Sequence, residues 1–105
     1  MKIKDIISAL NLEVKAGKDL LENEVTGGYA GDLLSDVLAN SKKGNIWVTL
    51  QVHQNIVAVA SSKELSAIII VNGRKPEAET LNKANEEQIP VFISNLLTYE
   101  IVGRL

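Results

Sequence analysis

The chain has no cysteine and a single histidine, His53. Without cysteine there is no disulfide framework, no thiolate nucleophile and no sulfur-ligated metal. One histidine, with no second one beside it, lacks the companions a zinc-type site requires. Aromatic residues make up only 4%. A charge excess of either sign is also missing. The net charge is -2, and Lys42-Lys43 with the isolated Arg74 and Arg104 form no basic stripe of the kind a nucleic-acid backbone needs. No apolar run approaches the roughly 20 residues that span a bilayer. Met1-Lys2-Ile3-Lys4-Asp5 leads into too short an apolar stretch for a secretory signal. No nucleic acid, membrane, metal or cofactor is expected, and the expected location is cytoplasmic.

What is present is an ordinary globular composition, 105 residues of which 46% are apolar and 23% charged. That is one domain over residues 1–105, with a single core. Its organising stretch is Ser66-Ala67-Ile68-Ile69-Ile70-Val71-Asn72-Gly73-Arg74. Four consecutive β-branched residues are apolar on both faces, the habit of a central parallel strand covered from both sides.

Ile3, Ile6, Ile7 and Leu10 recur at helical spacing, with Asp5 suited to the first turn, and Asn11 stops the helix. Leu12 to Ala16 alternates apolar and charged residues as a half-exposed strand does, and Gly17 ends it. Thr26-Gly27-Gly28-Tyr29-Ala30-Gly31 reads as a tight Gly-rich loop, followed by Asp32 as a helix N-cap. The next helix should bury Leu33, Leu34, Val37 and Leu38 and turn Asp36 and Asn40 outward. Ile46 to Leu50 reads as a strand, and a helix from about Val52 to Ala60 supplies the crossover that parallel strands need. Beyond the central strand, Pro76 suits the first turn of a helix running to Gln88. Its residues Ala78, Leu81, Ala84 and Gln88 should face the sheet. Ile89 to Ile93 is a third strand, and Thr98 to Leu105 a closing helix packing through Ile101, Val102 and Leu105. The predicted fold class is α/β, a three-layer sandwich with a mostly parallel central sheet and right-handed crossovers placing helices on both faces.

Ligands of open parallel sheets gather outside the carboxyl ends of the strands. That rule brings Thr49, Gln51, His53, Gln54, Asn55, Asn72, Arg74 and Ser94 to one edge. The set is rich in amides and hydroxyls and holds one permanent cation, which suits recognition of a small polar ligand better than acid-base catalysis. His53 reads first as a brace for the loop before its helix and second as a general base. A base would need Asp32, Asp36 or Ser35 in the same pocket. Thr26, Gly27 and Gly28 invite a phosphate-site reading ahead of a helix. Against it, the Gly-Lys-Ser/Thr ending of a P-loop is missing, and a closely packing turn, against a second chain for example, is the alternative. Arg74 either binds an anion or solvates its loop.

Glu24 to Val37, with Thr26-Gly27-Gly28 at its centre, then Trp47-Val48-Thr49, His53-Gln54-Asn55-Ile56-Val57 and Ile69-Ile70-Val71-Asn72-Gly73, resembles the DRTGG domain family over nearly the whole chain. No Asp-Arg pair precedes Thr26 here. The resemblance implies an α/β fold similar to the N-terminal domain of HPr kinase/phosphorylase. Elsewhere such domains accompany CBS pairs in regulated pyrophosphatases, or a phosphotransacetylase, as regulatory or dimer-forming modules. The expectation is therefore a stand-alone, noncatalytic regulatory or interaction module acting as a homodimer. The over-apolar Ile56-Ala60 helix, in need of cover on all sides, points the same way. The alternative is a sensor domain for a nucleotide or another anionic metabolite, binding at the loop edge. The ligand-binding candidates are Thr26, Gly27, Gly28, Thr49, His53, Gln54, Asn72, Gly73 and Arg74. No catalytic residue is assigned.

Overall fold

The computed structural model describes residues 1–105. Its elements run α1 (Ile3–Leu10), β1 (Glu13–Ala16), a 3-10 turn (Lys18–Leu20), β2 (Gly27–Ala30), α2 (Leu34–Asn40), β3 (Asn45–Thr49), α3 (Asn55–Ser62), β4 (Ala67–Ile70), α4 (Ala78–Glu87), β5 (Val91–Ile93) and α5 (Thr98–Arg104). One sheet takes the order β1-β5-β4-β3-β2. Strands β2 to β5 are parallel, and β1 closes one side antiparallel to β5. β4 is the middle strand, and Ala67 to Val71 are completely inaccessible. A run of β-branched side chains has no solvent face to offer, so only the position covered from both sides accommodates it.

The two cores lie on opposite faces of the sheet. Ile46, Val48, Ile69 and Phe92 point to the layer formed by α1 and α5, where they meet Ile3, Ile6, Leu10 and Ile101. Trp47, Ile68, Ile70 and Val91 point to α2, α3 and α4. The sandwich is thus the expected three-layer one, but the crossovers arrange it differently. Strand order moves in one direction from β2 to β5, so all three crossover helices fall on the same face. The other face is covered by the two terminal helices.

Several local expectations give way to tertiary contacts. Thr26–Gly31 is not a loop: Gly27 to Ala30 form an edge strand paired in unbroken register with Asn45 to Val48. Asp32 does not cap α2, whose N-cap position is Leu33. Only Val37 of the expected α2 face is buried, while Leu33 and Leu38 are 67% and 43% exposed. α3 begins at Asn55 and not at Val52, and its apolar residues Ile56, Val57, Val59 and Ala60 find cover inside the chain. That removes the reason it gave for a partner. Pro76 lies outside α4, whose N-cap is Glu77, and α4 buries Thr80 and Ala84 while Ala78 and Gln88 are exposed. On α5, Ile101 is buried but Val102 and Leu105 remain about half exposed at 48% and 46%.

Residues 17–26 connect the two outermost strands, crossing from β1 to β2 beneath the start of α1. Three backbone bonds fix this strap to the N-terminus: Ile3 N–H to Asn23 O, Lys4 N–H to Leu21 O, and Val25 N–H to Met1 O. Gly17, at φ 76°, makes the turn that begins it, and a Cβ there would stand 2.6 Å from the Cα of Pro90. No helix is long and apolar enough to cross a membrane.

Candidate functional site

The carboxyl ends of β3, β4 and β5 bring the nominated loops to one rim. At β3 the polar side chains are occupied by each other. Buried Thr49 donates its hydroxyl to Asp32 Oδ1 at 2.9 Å, and the Leu50 N–H donates to the same oxygen at 2.7 Å. The Gln51 N–H donates to Thr49 Oγ1 at 3.2 Å, and Gln51 Nε2 donates to the Asp32 carbonyl at 2.9 Å. Asp32 is therefore a clamp between the β2–α2 and β3–α3 loops. Its place beside Thr49 follows from β2 lying next to β3, which the Gly-rich sequence concealed.

His53 is exposed, and its Nδ1 accepts the Asn55 N–H at 3.2 Å, so it braces the loop that starts α3. Gln54 reaches Glu79 on α4 at 3.4 Å. No hydrogen bond joins His53 to Asp32, Asp36 or Ser35. Asp36 instead accepts the Tyr29 hydroxyl and an Asn40 N–H. The bond to Asp36 is also the main reason the Tyr29 phenol is held above its ordinary pKa. The relay that a His53 base would need is not assembled.

The ends of β4 and β5 are a different kind of place. The chain leaves β4 toward α4 on one face and leaves β5 toward α5 on the other. Diverging connections of this sort open the crevice in which open α/β sheets hold ligands. Between β2, β3 and β4 all connections leave on the same side, so the rim has no such opening there. Between the ends of β4 and β5, Asn72 (φ 59°) and Gly73 (φ 63°) adopt left-handed backbone. Two backbone bonds of 2.8 Å, Asn72 N–H to Leu96 O and Gly73 N–H to Ser94 O, stitch the loops together. A Cβ on Gly73 would stand 2.9 Å from Asn95 Oδ1. Arg74 is exposed and has no acidic partner.

Thr26, Gly27 and Gly28 do not join this rim. They lie where β2 and β3 begin, with Thr26 Oγ1 donating to the Lys43 carbonyl at 2.9 Å. The length of β3 separates them from Thr49, about 13 Å for four residues of strand. The nominated residues thus form two groups at opposite ends of the sheet. The larger hollows lie elsewhere. One groove of about 500 Å³ runs along Lys15 to Leu20 against Asn85 and Gln88, where Gly17 N–H meets Asn85 Oδ1 at 3.4 Å. Its trace in the sequence is Gly17, which ends the Leu12 to Ala16 strand just ahead of Lys18 and Asp19. No three of the His, Asp and Glu side chains come together as a metal site would require. Every buried polar side-chain atom has a hydrogen-bond partner.

No protein-family model matches this sequence, and no curated protein matches it. The fold is similar to a solved structure of the CBS and DRTGG domains of the regulatory region of Clostridium perfringens pyrophosphatase, complexed with its activator diadenosine tetraphosphate. The TM-score is 0.74 at 14% identity, over 97% of this chain and 44% of that one. At that identity the likeness is one of fold: the chain has a DRTGG-like α/β architecture and spans less than half the length of the regulatory region it matches.

Proposed function

We propose that this chain is a noncatalytic regulatory or interaction module that works as a homodimer in the cytoplasm. The observation that carries this reading is the apolar flank of α5. Leu97, Tyr99, Val102 and Leu105 are 53%, 89%, 48% and 46% exposed on and beside a seven-residue helix. Val102 and Leu105 line one hollow beside β2, and exposed apolar side chains that share a surface in this way mark where a partner is met. The polar groups of the β3 rim, by contrast, are satisfied within the chain and leave no free acid-base pair. Sedimentation velocity across the micromolar range tests the reading. A mass of two chains is expected, and a monomer throughout refutes it.

A second reading has its own support at the ends of β4 and β5. There Arg74, without an acidic partner, lies beside Asn72 and Gly73 where the connections diverge. In this reading the module senses a nucleotide or another anionic metabolite, with His53 at the margin of the site. A thermal-shift screen of nucleotides and acyl phosphates should then raise the melting temperature, since a ligand bound only by the native form stabilises it by mass action. The shift should vanish in Arg74→Ala.

A further inference from the structure

We propose that β2 is the surface through which two copies of this chain meet, strand to strand and antiparallel, fusing two five-stranded sheets into one of ten. This rests on the homodimer reading above and specifies its interface. The sheet has two edges, and they are not alike. β1 carries the Glu13–Lys15 ion pair at 2.8 Å and a bulge between Val14 and Ala16. Charges and bulges are the usual devices that keep an edge from pairing. β2 has neither: Gly27-Gly28-Tyr29-Ala30 is uncharged, contains no proline, and runs in regular register along β3.

Its free hydrogen-bonding groups can be identified by alternation. Asn45 O and Thr49 O accept from Ser66 and Val71 on the β4 side, while Val48 O accepts the Gly31 N–H on the β2 side. With period two, Tyr29 turns its backbone groups to β3, and Gly28 and Ala30 direct theirs outward. Both have the smallest side chains available, so nothing obstructs an approaching strand. Val102 and Leu105 flank the same edge, enclosing with Gly28, Ala30 and Val48 an apolar hollow of about 130 Å³.

The charges around the edge select a second copy as the occupant. Lys42 and Lys43 stand at the end where β2 begins; Lys43 is 80% exposed and held by Glu64 only at 3.4 Å. The acidic residues near that end are already matched, Glu22 to Lys2 and Lys4, and Glu24 to the amino terminus. Asp32 and Asp36 stand at the other end, hydrogen-bonded to neutral groups of Thr49, Leu50, Tyr29 and Asn40 but in no ion pair within the chain. A two-fold axis through the middle of β2 brings the lysine-bearing end of one copy to the aspartate-bearing end of its partner, twice over.

The experiment is sedimentation equilibrium on the full chain and three variants, each checked for folding by far-UV circular dichroism. Ala30→Pro removes an outward N–H and leaves the β3 ladder intact. Val102→Lys places a charge in the apolar flank, and Glu13→Lys alters the opposite edge as a control. The dimer Kd should rise about tenfold or more in Ala30→Pro, where symmetry removes two hydrogen bonds, and should be unchanged in Glu13→Lys. A dimer in which folded Ala30→Pro and Val102→Lys both keep the wild-type Kd overturns this interface while leaving the homodimer reading standing. If Ala30→Pro does not fold, the Kd of Val102→Lys decides alone. A monomeric wild type overturns both.

Discussion

Replacing Asp32 by alanine should unfasten the β3 rim, and the loss can be worked from the contacts it makes. The carboxylate accepts from the Thr49 hydroxyl and the Leu50 N–H, at 2.9 and 2.7 Å. Hydrogen bonds to a charged group contribute about 1.5–3 kcal/mol each. Asp32 itself is exposed, so water recovers a share of that when the carboxylate is removed. Thr49 is fully buried, and its hydroxyl proton would be left with no acceptor. A net destabilisation of about 2 kcal/mol follows, which lowers the melting temperature of a domain this size by about 8–16 °C. Urea unfolding followed through the single tryptophan, Trp47, measures it directly. Thr49→Val removes the stranded hydroxyl, so the double variant should be more stable than the sum of the single losses by about 1 kcal/mol. Asp32→Ala within about 0.5 kcal/mol of wild type, or strict additivity with Thr49→Val, would refute the clamp.

Three further outcomes are expected. Ile69→Ala, at the centre of β4 and fully buried, should cost about 3–4 kcal/mol in the same urea titration, whereas Arg74→Ala should stay within about 0.5 kcal/mol. Gly17→Ala should destabilise by about 2 kcal/mol or more, because left-handed backbone and contact with the Pro90 main chain act together; an unchanged midpoint would mean the strap can yield. The Glu22 carboxyl is held below the ordinary range by its hydrogen bond to Lys4 and then by Lys2, and Glu13 is held below it by Lys15. A depressed folded-state pKa contributes stability above the ordinary carboxylate value of about 4.3 that is lost as pH falls through the lower folded value. Acid melts should therefore be less steep in Glu22→Gln than in wild type, and the difference should shrink in high salt.

The parts legible in the sequence are those where the residue pattern has only one physical use. Ile68 to Val71 could sit only at the middle of the sheet, and Ile3, Ile6 and Leu10 only on one face of a helix. The alternation of Leu12 to Ala16 was equally readable, because a side strand with one wet face needs it. Gly27-Gly28 failed for the converse reason. Glycine has no side chain with which to express a strand preference, so the ladder to Asn45–Val48 alone decides its conformation. Once β2 was missed, Asp32 had no neighbour except its own helix, and the clamp to Thr49 could not be foreseen. The nominated rim was legible as a collection of loops. Whether connections diverge or run parallel above it depends on strand order, and a one-way order from β2 to β5 lets them diverge only at the ends of β4 and β5. The cover found by Ile56 to Ala60 was hidden similarly, since α2 and α4 reach them only through the layered packing.

The strap of residues 17–26 also bears on how the molecule comes apart. It leaves one margin of the sheet at Ala16 and enters the other at Gly27, a width of about 19 Å for five strands, while bonded along the way to the first turn of α1. Outer strands ordinarily fray independently, each exchanging its amide protons at its own rate. Here the two margins are hitched to one cord, so loosening either slackens α1 and, through it, the opposite margin. Amide exchange in β1 and β2 should consequently report a single shared opening.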